Sequence, residues 1–324
     1  LHSLLRSAST SPSRSRLLLL LALALGLVNF KNLPGSWHFR VLRGFFYQVH
    51  LQASPPVPPR HLFAPLVTAT YNTPYDCDYN GHKSNSTYFA DFDVARAHFM
   101  GALLRVGLGR LHAGDEDGLP PDVRAAPGKY TVALGAVTAF FHREIAPLQR
   151  FDVVTRLLAW DRKWLYAVSH VVRPGACQPS AYVLQPRRGA ARPRAAAPDP
   201  LAPHHIFATS VARYVFKKGR RTISPELVLE RSHLLPSRPP DTPLPPRAEA
   251  VPASQLDSLF TTDSTPSPPD TAADPASEAP WTWSTMERER LRGLHVAQHL
   301  DGLGSGAQSA LRVDEAWGRY GDYF

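Results

Sequence analysis

Cysteine is scarce. Of 324 residues only Cys77 and Cys177 are cysteines, which excludes a disulfide framework and leaves no Cys/His spacing suited to zinc. A reducing compartment is adequate for such a chain. The apolar run Leu17 to Phe30 stops at about 14 residues, where a helix crossing the hydrocarbon core needs about 20. No internal repeat is visible, which argues against a duplicated domain. Acidic residues are few, 27 against 36 Lys and Arg, giving a net charge of +9. That excess suits contact with phosphate groups. Arginines dispersed in Ala/Pro-rich sequence equally reflect composition and solvation, so nucleic acid is not an expected partner.

What the chain has is proline and apolar bulk. Its 32 prolines, many in two stretches, remove much of the length from any core, so one folded domain with ragged flanks is expected. With 44% hydrophobic and 10% aromatic residues a folded centre is required. The first residue is Leu1, not methionine, and the natural start is expected upstream.

Arg6, Arg14 and Arg16 precede the apolar run, and Trp37 to Tyr47 mixes aromatic and basic residues as an interfacial segment does. A secretory signal would share the charged start, but Ala22-Leu23-Ala24 falls inside the run rather than after it. Residues 1–60 are therefore read as a retained hydrophobic anchor, holding the protein on a membrane with the folded domain in the cytosol; the endoplasmic reticulum is the candidate compartment.

Strand-like sequence, rich in β-branched and aromatic residues, spans Ala64 to Asn72, Tyr130 to Arg143, Phe151 to Trp160, Trp164 to Arg173 and Ile206 to Lys217. Asp161-Arg162-Lys163 joins the middle pair as a hairpin. Between the first strand and the rest, Phe89, Phe92, Phe99, Leu103 and Val106 recur at helical spacing, predicting one long helix over Ser86 to Val106 that ends at Gly107 and Gly109. The pattern is α+β: an antiparallel sheet whose apolar face is covered by a single long helix. Residues 61–235 form this domain, with 174–203 a low-complexity loop; 236–280 reads as a disordered linker and 281–324 as a C-terminal helix and tail. Ser284 and Glu287 fit a capping box at that helix's start.

Chemistry concentrates in Asp76-Cys77-Asp78-Tyr79-Asn80-Gly81-His82, a turn-rich loop that runs into the long helix near Asn85 or Ser86. A helix start directs unpaired N–H groups at whatever occupies the loop, where an oxygen becoming negative would be stabilised. A carboxylate beside that point could activate water or attack a carbonyl, and Asp78 is the candidate. Asp76, Asp78 and Asn80 also suit a mere turn, and His82 a core hydrogen bond. Cys77 is read as structural. Asn85-Ser86-Thr87 matches a glycosylation sequon, discounted because a glycan would block the loop. Lys217, Lys218, Arg220 and Arg221 read as a solvated turn or as a site for the phosphates of coenzyme A, an acidic carrier protein or anionic lipid.

Asp-Cys-Asp followed by Gly81, Asn85 and Tyr88 resembles the active-site segment of hot-dog thioesterases of the hydroxybenzoyl-CoA type. Phe141-His142-Arg143-Glu144-Ile145, Trp160-Asp161-Arg162-Lys163-Trp164 and Tyr214 to Thr222 are similar to a membrane-anchored, often fungal branch related to thioesterase superfamily member six. The resemblance implies a hot-dog fold and an acyl thioesterase acting on an acyl-CoA or acyl-carrier-protein substrate. It implies Asp78 in the catalytic place, the Asn85 amide polarising the carbonyl, His82 and Tyr88 shaping the pocket, no cofactor, and a homodimer. Lys83 and Ser84 depart from the family's Val or Met and Asn. Two other readings stand beside it: a non-catalytic membrane-tethered acyl-binding module, and a hot-dog hydratase or dehydratase, whose His spacing this loop does not match.

Overall fold

A computed structural model describes residues 12–309, apart from 54–55, 178, 180–181, 186–202, 241, 249–250, 253 and 255–280. The middle of the low-complexity loop, most of the linker and the tail after 309 therefore lie outside the described residues.

Six strands form one antiparallel sheet: β1 (Leu66–Tyr71), β2 (Tyr130–Phe141), β3 (Arg150–Trp160), β4 (Trp164–Val172), β5 (Ile206–Lys218) and β6 (Arg221–Ile223). Their order is β1-β3-β4-β5-β2, with β6 beside β5. Asp161 makes the β3–β4 turn by accepting the Lys163 and Trp164 N–H groups at 2.6 Å on one carboxylate oxygen. Alternation then sorts the faces. Leu165, Ala167, Ala212, Tyr214 and Phe216 face α3 (Tyr88–His112) with Phe99, Met100 and Leu104. Leu158, Tyr166, Val168 and Val211 face the other way, onto Leu294 and Ala297 of the C-terminal helix. One long helix wrapped by an antiparallel sheet is the expected hot-dog arrangement.

Three expectations need correction. The long helix does not end at Gly107 and Gly109 but continues to His112. Gly107 is there for packing: a Cβ on it would stand 2.3 Å from the Val228 carbonyl oxygen, on α5 (Pro225–Arg231) after α4 (Pro121–Arg124). Its stripe also shifts, since Val106 is exposed and Leu104 and Leu111 are buried. The C-terminal helix, α6 (Trp283–Ser309), is capped by Thr282, whose hydroxyl accepts the Thr285 N–H at 3.3 Å, rather than by a Ser284 box. The start of the expected linker is packed, with Ala248 and Val251 buried against the sheet and α6 and the Ala248 N–H on Asp161.

The N-terminal segment is two helices, α1 (Pro12–Val28) and α2 (Ser36–Phe46). Among the described residues no helix is long and apolar enough to cross a membrane. From Leu17 onward α1 is apolar all round, with Leu17 to Leu21, Leu23, Leu25 and Leu27 each more than half exposed. α2 lies along α3 at close range: a Cβ on Gly44 would meet the His98 ring at 2.7 Å. Arg105 of α3 donates to the Gln48 and Gln52 carbonyls at 2.9 and 3.0 Å, satisfying the end of that arm. The arm is thus built into the domain, and a boundary at residue 60 cuts through packed structure.

Candidate active site

The Asp78 loop is a small hairpin on a braced base. Thr73 and Asp76 cap each other across the turn Pro74–Asp76, side chain to backbone in both directions. Cys77 then bridges Lys83, and between them the Asp78 N–H donates to the His82 carbonyl at 3.0 Å and the Gly81 N–H to the Asp78 carbonyl at 3.0 Å. Gly81 takes φ +79, a left-handed conformation cheap only for glycine. Asn72, fully buried, donates to the Ile145 and Ala146 carbonyls at 3.0 Å and ties the loop to the turn after β2.

Beyond the hairpin, the Ser84 N–H and the Thr87 hydroxyl both donate to the Asp76 carbonyl, at 2.8 and 3.2 Å. A turn of 3-10 helix, Asn85–Thr87, leads directly into α3. The first N–H groups of such a segment have no acceptor within it. Asp78 is a quarter exposed; its Oδ1 accepts the Asn80 N–H at 2.9 Å and lies 3.8 Å from His82 Nδ1. His82 Nε2 is 3.6 Å from Glu144. Asp78, His82 and Glu144 therefore cluster at the loop that runs into the Asn85 helix start.

Tyr88 opens α3. It is 2% exposed and stacked edge-on against Phe141 at 5.1 Å. Burial, with Asp91 adding to it, pushes its hydroxyl well above the ordinary tyrosine range. The basic turn lies far from the Asp78 loop within this chain. Lys218 lies opposite Tyr130 while Phe141, at the loop end, lies opposite Ala208; ten residues of strand separate them by roughly 33 Å. Lys218 turns inward to pair with Glu116 at 2.8 Å and donate to the Arg124 carbonyl. Arg220 and Arg221 line a concavity of about 400 Å³ with Asp122 and Gly219, and Lys217 lies on β5 just before that turn.

Sequence reasoning missed the buried ion cluster under the loop. Lys31 Nζ lies 2.7 Å from Asp76 and 3.1 Å from Asp91; Lys83 Nζ lies 3.6 and 2.9 Å from the same pair; Arg40 is 2.9 Å from Asp91. Burial alone would raise both carboxyl pKa values, but the charges of Lys83 and Lys31, joined at Asp91 by Arg40, hold both below the ordinary value. The available signals were Lys83 at a position the family fills with Val or Met, and an acid, Asp91, set between core aromatics.

Residues 73–195 match the Thioesterase-like superfamily. The probable thioesterase atnL of Emericella nidulans is 32% identical, over 92% of this chain and 90% of its own. Thioesterase poxG of Penicillium oxalicum is 34% identical, over 86% of this chain and 81% of its own. The chain belongs to the thioesterase-like superfamily. Its match begins at Thr73, so it takes in the whole Asp78 loop and the start of α3. A probable thioesterase of Saccharomyces cerevisiae is 26% identical over 63% of this chain and 75% of its own. Similar solved structures include a 1,4-dihydroxy-2-naphthoyl-CoA thioesterase from Synechocystis, 8% identical, over 56% of this chain and all of that one, with a TM-score of 0.34. This superfamily member is a thioester hydrolase by kinship.

Proposed function

We propose that the protein hydrolyses an acyl-CoA or acyl-carrier thioester at Asp78. One observation carries this reading. In a thioesterase-family chain, a partly exposed carboxylate stands on a tight glycine hairpin whose next element is the start of the helix that the sheet wraps, and its Oδ2 has no hydrogen-bond partner among the described residues. Water activated by Asp78 adds to the thioester carbonyl, the C–S bond breaks, and the thiol leaves with a proton; alternatively Asp78 attacks first and water cleaves the resulting anhydride. The Asn85 N–H would hold the oxygen as it becomes negative. His82, between Asp78 and Glu144, orients the loop.

The basic turn joins this scheme if the protein is a homodimer. β2 is an edge strand with exposed Leu134, Phe140 and Phe141. Such an edge is a pairing liability unless covered. Antiparallel pairing of two β2 strands about a two-fold axis would bring the partner's 217–221 turn toward this protomer's loop, where Lys217, Arg220 and Arg221 could receive the phosphates of coenzyme A or an acidic carrier. Light scattering of the full chain in detergent tests this, and an active monomer refutes it.

α1 is read as a membrane tether. Eight leucines in a helix apolar on every side are costly in water, at roughly 1.5–3 kcal/mol each when unburied, and lipid is the environment that removes that cost. Fractionating cells that express the full chain and a version lacking 17–28 tests it; equal solubility refutes it. The activity itself is tested by coenzyme A release from short, long and aromatic acyl-CoA thioesters, with an enoyl thioester included. Hydration without thiol release, or binding without turnover, would overturn the hydrolase reading.

A further inference from the structure

The Asp78 hairpin is braced from below by a segment distant in sequence. Four of the seven residues joining α1 to α2, Asn29 to Asn32, reach the loop base through three polar side chains. The Asn29 side-chain oxygen accepts the Tyr75 N–H at 2.8 Å. Asn32 Nδ2 donates to Thr73 Oγ1 and Asp76 Oδ1, both at 2.7 Å. Lys31, 7% exposed, puts its ammonium 2.7 Å from Asp76 Oδ2 and 3.1 Å from Asp91 Oδ2.

Asp76 is the junction. Its side chain takes Lys31 and Asn32, while its carbonyl takes the Ser84 N–H and the Thr87 hydroxyl. Asp78 lies two residues after it, and Ser84 and Thr87 flank the first helical N–H groups. Asp76 therefore helps to set the separation between the carboxylate and the helix start, together with the Cys77–Lys83 bridge. Stability is a poor reason for such a cluster, because three cations around two buried carboxylates gain little over apolar packing. Fixing a geometry is a better one, since misplacing reacting groups by about 1 Å can cost roughly 100-fold in rate.

We propose that Lys31 is a positioning residue of the reaction, holding Asp76 so that the Asp78 carboxylate and the Asn85 N–H keep their separation. The N-terminal arm is thus part of the catalytic apparatus as well as a tether. This rests on the reading of Asp78 and the helix start as the reacting centre.

The test uses the full chain in detergent micelles, with benzoyl-CoA or palmitoyl-CoA as the probe, whichever the wild type turns over faster. Lys31→Met should lower kcat on the order of 10- to 100-fold while KM changes less than about threefold. Lys31→Arg, which keeps the charge, should recover most of the loss. Should Lys31→Met fail to fold, Asn32→Ala removes the neutral half of the same clamp and should show the same split between kcat and KM. If both variants fold and keep wild-type kcat while Asp78→Asn is inactive, the positioning role is overturned and the site reading stands. If Asp78→Asn keeps full turnover, both are overturned. Loss of kcat only in proportion to folded protein, without recovery by Arg, marks a purely structural Lys31 and also overturns the proposal.

Discussion

Lys83 and Asp91 meet inside the protein, Nζ 2.9 Å from Oδ2, with the lysine side chain wholly buried. Asp91 also faces Lys31 and Arg40, so it is the carboxylate on which three cations converge. Asp91→Leu leaves the two lysines with Asp76 alone and takes from Arg40 its carboxylate, and breaking a buried pair from one side costs about 3–5 kcal/mol. Adding Lys83→Met removes one stranded charge and should restore about 1–3 kcal/mol of that loss. Urea unfolding of the two single variants and the double variant measures the coupling. Strict additivity would show that the pair is not energetically linked.

Asp78→Asn should lower kcat by roughly 10²- to 10⁴-fold, the range for loss of a positioned base. The amide keeps the size of the side chain and an oxygen for the Asn80 N–H, so the melting temperature should stay within about 3 °C, the shift given by roughly 1 kcal/mol. Cys77→Ser should stay within a few fold of wild type. The thiol donates to the Thr73 carbonyl at 3.4 Å and accepts from Asn72 at 3.3 Å, which a hydroxyl can do. An inactive, folded Cys77→Ser would revive a thiol mechanism.

The strands are legible because β-branched and aromatic residues mark them, and their ends agree with the structure to within a few residues. Their order in the sheet is not, since nothing local says that β1 pairs with β3 while β2 takes the other edge. The Asp78 hairpin can be read from Asp, Asn and Gly chemistry together with family likeness. The cluster beneath it cannot. Lys31 follows directly on the apolar run and Asp91 stands beside Phe92, and neither has its partner nearby in sequence; only a contact spanning 60 residues joins them. Tyr88 is assigned to the pocket by family likeness alone, because helical spacing gives a face and not what lies opposite it. Lys218 looks solvated there because Glu116, its partner, is 102 residues away.

Two glycines on α3 separate a packing role from a terminating one. Gly107 donates its N–H to the Ser232 hydroxyl at 3.1 Å, and a Cβ there would meet backbone at 2.3 Å. Gly107→Ala should cost about 1–3 kcal/mol or more, because α5 must move away. A Cβ on Gly109 would meet nothing within 4 Å, and the residue lies inside the helix, so Gly109→Ala should stabilise by about 0.5–1 kcal/mol. Thermal or urea unfolding reads both. Like signs for the two would sink this account of why the helix passes through them.

The last prediction follows from His170 on β4, whose Nδ1 lies 3.1 Å from the Thr209 hydroxyl. Burial, reinforced by Arg156 and His142, lowers its pKa from 6.5 to about 4. The unfolded chain therefore binds this proton from pH 6.5 downward, whereas the folded protein takes it up only near pH 4. Between those values the unfolded state carries more protons, so stability rises with pH. The contribution is fully present above 6.5 and is lost as pH falls toward 4, by on the order of 2–3 kcal/mol. His98, lowered by burial and by Arg43, adds to the same trend. Asp76 and Asp91 do not, because their contribution is present above the ordinary carboxylate value of 3.8 and is lost only below it. His170→Gln, which cannot charge, should flatten the fall in urea midpoint between about pH 7 and pH 4.5 without abolishing it. An unchanged slope would mean that His170 does not titrate as its surroundings dictate.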